Sequence, residues 1–145
     1  MSGERFTLDT NVLVYAVDAD AGERHARARD LVDRAVEADC VLTLQALGEF
    51  FHAVTRKGRM PVADAADLVR DWQTLFPVVA ARTEDLDRAM TAVLRHGLSF
   101  WDAMLWSTAK AAGVTVLLSE DFQHDRVLEG VRFQDPFVVA DPLEE

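Results

Sequence analysis

The sequence predicts an α/β domain built on a largely parallel sheet. Short apolar segments with strand character alternate with longer segments of helical periodicity, and this rhythm is typical of strand–helix–strand units. The chain has 145 residues, of which 50% are hydrophobic, so it is long enough to bury one sizeable core. No internal repeat, linker or low-complexity segment is recognisable. We therefore expect a single domain that spans residues 1–145.

In the first half of the chain, the predicted elements begin with a short apolar strand, Phe6–Leu8, followed by a helix at residues 10–17. An amphipathic helix is expected at residues 23–38, where small and apolar residues recur at helical spacing. Residues 41–44 predict a second strand, and residues 45–56 predict the helix that follows it.

In the second half, helices are expected at residues 62–75 and 83–96, the latter beginning at a threonine suited to an N-cap. Ser99 is expected to cap a further helix, apolar nearly all round, that ends at Gly113. Residues 114–118 predict the clearest buried strand of the protein.

The composition of the chain excludes several classes of protein. Cys40 is the single cysteine, so neither an internal disulfide nor a cysteine zinc site is expected, and a reducing compartment fits. Neither a secretory leader nor an apolar segment long enough to cross a bilayer is recognisable, so we expect a cytoplasmic protein without a membrane partner. The formal net charge of −10 argues against general attraction to nucleic acid, so any such role requires local cations or a metal.

Four carboxylates stand out, although each has a plain structural interpretation when considered alone. Asp9 follows the first strand and suits an N-cap. Glu49 fits the solvated face of its helix, and Asp121 fits a turn after the later strand. Asp102 fits the third position after a Ser99 cap. However, Asp102 also shares a face with apolar residues of a buried helix, where an unpaired charge is costly.

Considered together, these carboxylates predict a metal site. Ligands of open α/β sheets collect beyond the carboxyl ends of the strands, where Asp9 and Asp121 fall, and helix N-termini bring Asp102 to the same edge. Several carboxylates in one crevice must hold protons or bind a cation. Oxygen ligands favour Mg²⁺ or Mn²⁺ over Zn²⁺, and such an ion suits the attack of water on a phosphodiester. Asn11 is then a supporting hydrogen-bonding side chain.

Three segments of the chain point to one family. They are LDTNVLVYAVD (residues 8–18), QALGEFFHAVTRKG (45–58) and SFWDAMLWSTAKAAGVTVLLSEDFQH (99–124), and together they resemble the PIN-domain family, in particular the VapC-type toxin ribonucleases of toxin–antitoxin modules. The resemblance covers nearly the whole chain, in the same order. It implies a three-layer α/β/α sandwich with a central, mainly parallel sheet. It also implies an Mg²⁺- or Mn²⁺-dependent endoribonuclease whose products carry a 5′-phosphate and a 3′-hydroxyl.

The resemblance implies roles for individual residues as well. The family's acidic site, which is expected to be both catalytic and metal-binding, matches Asp9, Glu49, Asp102 and Asp121. Asn11 and Ser119 match positions that hydrogen-bond the acidic cluster or a coordinated water, and Glu120 is a neighbouring acid able to substitute for Asp121. One well-occupied ion site, with a second ion recruited by the substrate, is our working hypothesis.

The chain departs from the commonest family pattern at Asp125, where relatives often have glycine, and at Trp101 and Trp106, which are larger than the usual residues. None of these positions is a proposed ligand. The histidines are scattered through the sequence, and we expect none of them to be catalytic.

A local basic cluster follows the helix that carries Glu49. It consists of Arg56, Lys57 and Arg59, which are the candidate RNA contacts, although a solvated helix end accounts for them equally well.

The resemblance implies a homodimer and a cognate antitoxin protein that threads into the acidic crevice, often with an arginine. Two other classes of protein remain open. One is a non-catalytic PIN-like binding module with a degenerate site. The other is an aspartate-nucleophile phosphohydrolase, which requires a second aspartate at the position of Asn11.

Overall fold

The computed structural model describes residues 3–56 and 59–144. Within those ranges, six strands form one sheet, and six α-helices and a short 3-10 helix, Ala19–Ala21, accompany it. The strands are β1 (Phe6–Leu8), β2 (Cys40–Thr43), β3 (Val78–Val79), β4 (Val116–Leu118), β5 (Val127–Leu128) and β6 (Val131–Gln134). The helices are α1 (Thr10–Tyr15), α2 (Glu23–Ala35), α3 (Leu44–Thr55), α4 (Val62–Leu75), α5 (Thr83–His96) and α6 (Phe100–Ala111).

The sheet has the strand order β3-β2-β1-β4-β6-β5. All neighbouring strands are parallel except β5 and β6, which pair antiparallel. The central strand β1 pairs with β2 on one side and β4 on the other, so that Phe6 lies opposite both Cys40 and Val116. The predicted α/β fold with a mainly parallel sheet is confirmed. Because these strands run in the same direction, their carboxyl ends meet at one edge.

Helices cover the sheet on both faces, as a three-layer sandwich requires. Successive side chains of a strand point to opposite faces. Accordingly, Leu8 and Leu42 pack in a core with helices α1 to α4, whereas Val41 and Leu117 pack in a second core with α5 and α6. Thr7 is a buried polar residue of β1, and its hydroxyl donates to the backbone oxygen of Val41 at 2.7 Å.

Some predicted boundaries shift for identifiable reasons. The second strand ends at Thr43 because its hydroxyl accepts a hydrogen bond from Ala46 N at 3.1 Å, which makes it the N-cap of α3. The cap of α5 is Arg82 rather than Thr83, and the Asp85 carboxylate accepts from the Arg82 N–H at 2.8 Å. The amphipathic helix predicted to reach residue 38 ends at Ala35.

The hairpin of β5 and β6 was not predicted. Leu128 pairs with Val131, so the turn consists of two residues, Glu129 and Gly130, which have φ values of 48° and 87°. Positive φ at both positions is the geometry that suits the twist of a tight hairpin. Glutamate is a weak signal for this turn, because asparagine and aspartate are the residues that usually precede the glycine. Among the described residues, no helix has the length and apolar character needed to span a membrane.

We predict that Leu117→Ala lowers the free energy of unfolding by about 2–5 kcal/mol, because the fully buried leucine would leave a cavity in the second core. The control is Val62→Ala, which removes apolar atoms from a side chain of α4 that is 61% exposed. The control is expected to change stability by less than about 0.5 kcal/mol. Urea unfolding followed by circular dichroism measures both, and equal effects would contradict the placement of Leu117.

Candidate functional site

A cleft of about 480 Å³ lies at the carboxyl edge of the sheet. Asp9 enters it directly after β1, and Asp121 enters it from the loop that follows β4. Glu49 reaches it from α3, and Asp102 from the first turn of α6. The structure therefore brings all four predicted carboxylates to one cleft. Among the described residues that line the cleft, none is lysine or arginine.

Asp9 is the most enclosed of these acids, with 6% of its surface exposed. Its Oδ1 accepts a hydrogen bond from the Thr10 N–H at 2.7 Å, and its Oδ2 accepts one from the Ser119 hydroxyl at 2.6 Å. Burial raises the pKa of Asp9 from 3.8 to about 6, and the charges of Asp121 and Asp102 add to this rise, while the two hydrogen bonds oppose it. Asp9 is thus both the N-cap of α1 and a carboxylate whose ionised form is disfavoured by its surroundings.

Ser119 links two of the acids. Its fully buried hydroxyl donates to Asp9 and also accepts a hydrogen bond from the backbone N–H of Asp121 at 3.0 Å. One oxygen therefore orients the carboxylate that follows β1 and the loop that follows β4. The predicted supporting position of Ser119, within hydrogen-bonding distance of the acidic cluster, agrees with this geometry.

Asp121 is more exposed than Asp9, and its pKa is also raised. Burial is the main cause, and the charges of Asp102 and Glu120 contribute, whereas the nearby Asn11 amide lowers the pKa. The amide nitrogen and oxygen of Asn11 are both buried, and neither makes a hydrogen bond of regular geometry with a described residue. The Asn11 amide therefore lies close enough to Asp121 to stabilise its charge, through a contact that is not a hydrogen bond of regular geometry.

Glu49 is tied to its surroundings by neutral partners. The Thr10 hydroxyl donates to Glu49 Oε1 at 2.9 Å, and Gln45 Nε2 lies at 3.4 Å from the same oxygen. Gln45 Nε2 also donates to the backbone oxygen of Trp101 at 3.1 Å. These contacts connect α3 with α1 and with the start of α6, and they span the cleft.

Glu120 does not line the cleft, although it is next to Asp121 in the sequence. Its carboxylate accepts hydrogen bonds from the Tyr15 hydroxyl and from Arg24 Nε, the latter at 3.0 Å. The structure therefore places Asp121, and not Glu120, beside the other three acids.

The candidate RNA contacts lie outside the acidic cleft. Arg56 and Arg59 are exposed, and Lys57 lies outside the described residues. Arg59 lines a separate cavity of about 520 Å³, which adjoins the cleft because Ala53 borders both.

The donor chemistry of the cleft fits a hard cation. No group of three or more histidine, cysteine, aspartate or glutamate side chains within the described part of the chain converges closely enough to hold an ion unaided. Mg²⁺ usually binds through one or two carboxylates and fills its remaining positions with water and phosphate oxygens. The raised pKa of Asp9 fits a carboxylate whose charge no lysine or arginine of the described cleft lining compensates.

Several residues of the cleft were not identified as site residues from the sequence, and Gln45, His52 and Trp101 are among them. Gln45 and His52 lie one helical turn before and after Glu49, so their position on the Glu49 stripe was the available signal. Asp125 has φ of 66°, a left-handed conformation that favours glycine but that aspartate tolerates.

The chain belongs to the PIN-domain family. The family model for the PIN domain matches residues 6–129, a range that contains all four carboxylates of the cleft. A search of curated proteins finds no match.

Solved structures with a similar fold include toxins and their complexes. One is the VapC20 toxin of Mycobacterium tuberculosis, a Sarcin-Ricin loop cleaving toxin, with 20% identity over 77% of this chain and 86% of that chain and a TM-score of 0.62. A toxin–antitoxin complex from Klebsiella pneumoniae has 16% identity over 92% and 98% of the two chains and a TM-score of 0.65. DNA-bound VapBC from Salmonella typhimurium has 16% identity with the same coverage and a TM-score of 0.67. At these identities, the likeness concerns the fold.

Asp9 is expected to make the stability of the metal-free protein depend on pH. Because its pKa is raised from 3.8 to about 6, the folded state holds the proton more tightly than the unfolded chain does. The stability that this proton contributes is fully present below pH 3.8 and is lost as the pH rises through about 6. The shift corresponds to about 3 kcal/mol.

The measurement is urea unfolding in EDTA at several pH values, with wild type, Asp9→Asn and the exposed control Asp87→Asn. The stability of Asp9→Asn relative to wild type should rise by about 3 kcal/mol between about pH 4 and about pH 7.5. Asp87→Asn should show no such trend, because Asp87 is exposed on α5. A flat difference for Asp9→Asn would contradict the enclosed environment assigned to this carboxylate.

Proposed function

We propose that this protein is an Mg²⁺- or Mn²⁺-dependent endoribonuclease and the toxin component of a toxin–antitoxin module. The observation that carries the proposal is the meeting of Asp9, Glu49, Asp102 and Asp121 in one cleft whose described lining holds no cationic side chain. Membership of the PIN-domain family and a fold similar to that of the VapC20 toxin support it.

The four acids would together hold the ion beside the scissile phosphate. When bound, the ion supplies charge neutralisation at the phosphate and makes an attacking water more acidic. Asp9 is oriented toward this task by Thr10 and Ser119, and Ser119 also fixes the start of the Asp121 loop. Asp102 extends the negative field from the first turn of α6.

Like Asp121, Glu49 would orient the attacking water or hold a second ion. One of its oxygens is engaged by the Thr10 hydroxyl, and the residue is otherwise exposed toward the cleft. Hydrolysis of this kind leaves a 5′-phosphate and a 3′-hydroxyl, which is the product polarity that we propose.

The same proposal includes a homodimer and a cognate antitoxin as partners. The similar structures from Klebsiella pneumoniae and Salmonella typhimurium are a toxin–antitoxin complex and DNA-bound VapBC. A cleft with this excess of carboxylates is complementary to an arginine from such a partner. On α5, Leu86, Met90 and Leu94 form an exposed apolar stripe at helical spacing that suits a protein contact.

Asparagine at position 11 counts against the aspartate-nucleophile phosphohydrolase. The amide at position 11 cannot serve as the acid that such an enzyme requires two residues after its nucleophile. The presence of all four acids in one cleft counts against a binding module with a degenerate site.

The test is RNA cleavage by the purified protein, freed of any co-expressed partner, with total RNA in Mg²⁺, Mn²⁺ or EDTA. We expect discrete ion-dependent cuts that bear 5′-phosphates, mapped by sequencing of the new ends. Asp9→Asn and Asp102→Asn should each lower the cleavage rate by about 100-fold or more, because each removes a carboxylate that would hold the ion beside the reacting phosphate.

Asp87→Asn is the matched control, since it makes the same chemical change on the exposed surface of α5 and should retain full activity. Cleavage that survives EDTA or both cleft substitutions would contradict the proposal. So would a folded protein that cuts no RNA with either ion.

A further inference from the structure

We propose that Trp101 stacks on an unpaired base of the RNA substrate and holds it beside the acidic cleft. The inference rests on the proposed function and deepens it, because it names the kind of RNA that the site takes. Trp101 lines the cleft and directly precedes Asp102 in the first turn of α6. A base that rests on its ring would place a neighbouring phosphate close to the carboxylates.

The exposure of Trp101 sets it apart from the other two tryptophans. Trp72 and Trp106 are core residues with 5% and 0% of their surface exposed, and the Trp106 indole N–H is satisfied by the backbone oxygen of Leu128 at 3.2 Å. Trp101 is 60% exposed. A large aromatic side chain that the core does not use, at the rim of a functional cleft, is a candidate for ligand contact.

The backbone and the ring of Trp101 are held in place. Gln45 Nε2 donates to its backbone oxygen, which ties this turn of α6 to α3. The ring of Phe100 packs edge-to-face against the Trp101 ring, with centroids 4.9 Å apart and an interplanar angle of 70°. A fixed aromatic face is already arranged for stacking and loses little freedom when a base binds.

The charge of the protein makes stacking the more important. The net charge is −10, and no lysine or arginine is found among the described residues that line the cleft. Neutralisation of phosphates by lysine and arginine, which supplies most non-specific affinity for nucleic acid, is therefore weak at this site. Stacking on an aromatic ring needs no cation and accepts every base.

This contact selects unpaired RNA. Bases in an A-form duplex are stacked on one another, and their faces are not available to a side chain, whereas bases in loops and single strands can be splayed out. The substrate is accordingly RNA that is single-stranded at the cut. Because the Trp101 ring contacts the face of a base and not its edges, it positions the strand without selecting a sequence.

Binding is tested apart from cleavage. Full-length protein in EDTA is titrated with a single-stranded oligoadenylate of about twelve nucleotides and with an RNA duplex of equal length, by fluorescence anisotropy and indole fluorescence. The wild type should bind the single strand in preference to the duplex, with quenching of indole fluorescence. Trp101→Ala should abolish the quenching and weaken binding by about 5- to 100-fold. Trp101→Tyr should retain most of the affinity, because it keeps an aromatic face.

Val62→Ala is the control, since it removes exposed apolar atoms from α4, outside the cleft lining, and should leave binding unchanged. Sedimentation of each protein is measured in parallel. Unchanged RNA affinity in Trp101→Ala would overturn the inference. A change of oligomeric state in that variant would also overturn it, because Trp101 would then belong to a protein interface. Failure of the wild type to bind the single strand would overturn it too. If the wild type cleaves RNA but Trp101 makes no contribution to binding, only this inference fails. If the wild type binds the single strand through Trp101 but shows no ion-dependent cleavage, the proposed nuclease fails and the stacking contact stands.

Discussion

The parallel pairing of β1 with β4 is the constraint on which the site depends. Leu8 lies opposite Leu118, and the pairing continues one step further, where the Asp9 N–H donates to the Leu118 oxygen at 2.9 Å. This register brings Asp9 beside Ser119, whose hydroxyl then reaches both Asp9 and the Asp121 backbone. A shift of one residue would turn Asp9 to the other face of the sheet.

The ionised acids of the cleft lower the stability of the fold, and the surrounding structure compensates for part of this loss. Burial and neighbouring charges raise the pKa of Asp9, which means that the ionised carboxylate destabilises the metal-free protein at neutral pH. Two short hydrogen bonds limit the penalty, and the two cores on either side of the sheet supply the stability that lets it persist. An ion, the substrate's own ions or a basic partner segment would relieve the remaining repulsion, so binding and stability are coupled in this site.

Much of the fold could be predicted from the sequence, because strong periodicity and cap residues mark most elements. The strand Phe6–Leu8 and the Ser99 cap of α6 are examples. The hairpin of β5 and β6 could not be, since its strands are short and its turn uses Glu129 in place of a residue that commonly adopts positive φ. Likewise, Asp9, Asp102 and Asp121 could be assigned to one edge from the ends of the strands and the start of α6, whereas Glu49 was assigned only by the family resemblance. Glu120 could not be separated from Asp121, because only the contacts with Tyr15 and Arg24 show which way it points.

The central claim is that the acids at this edge of the sheet gather around a hard cation. Crystals soaked in Mn²⁺ and measured at the manganese absorption edge test it most directly, since an anomalous difference map locates the ion without reference to activity. We predict a peak bordered by Asp9, Asp102 and Asp121, and we predict that this peak is absent in crystals of Asp9→Asn. A peak elsewhere on the molecule, or none at saturating Mn²⁺ with the cleft open to solvent, would contradict it.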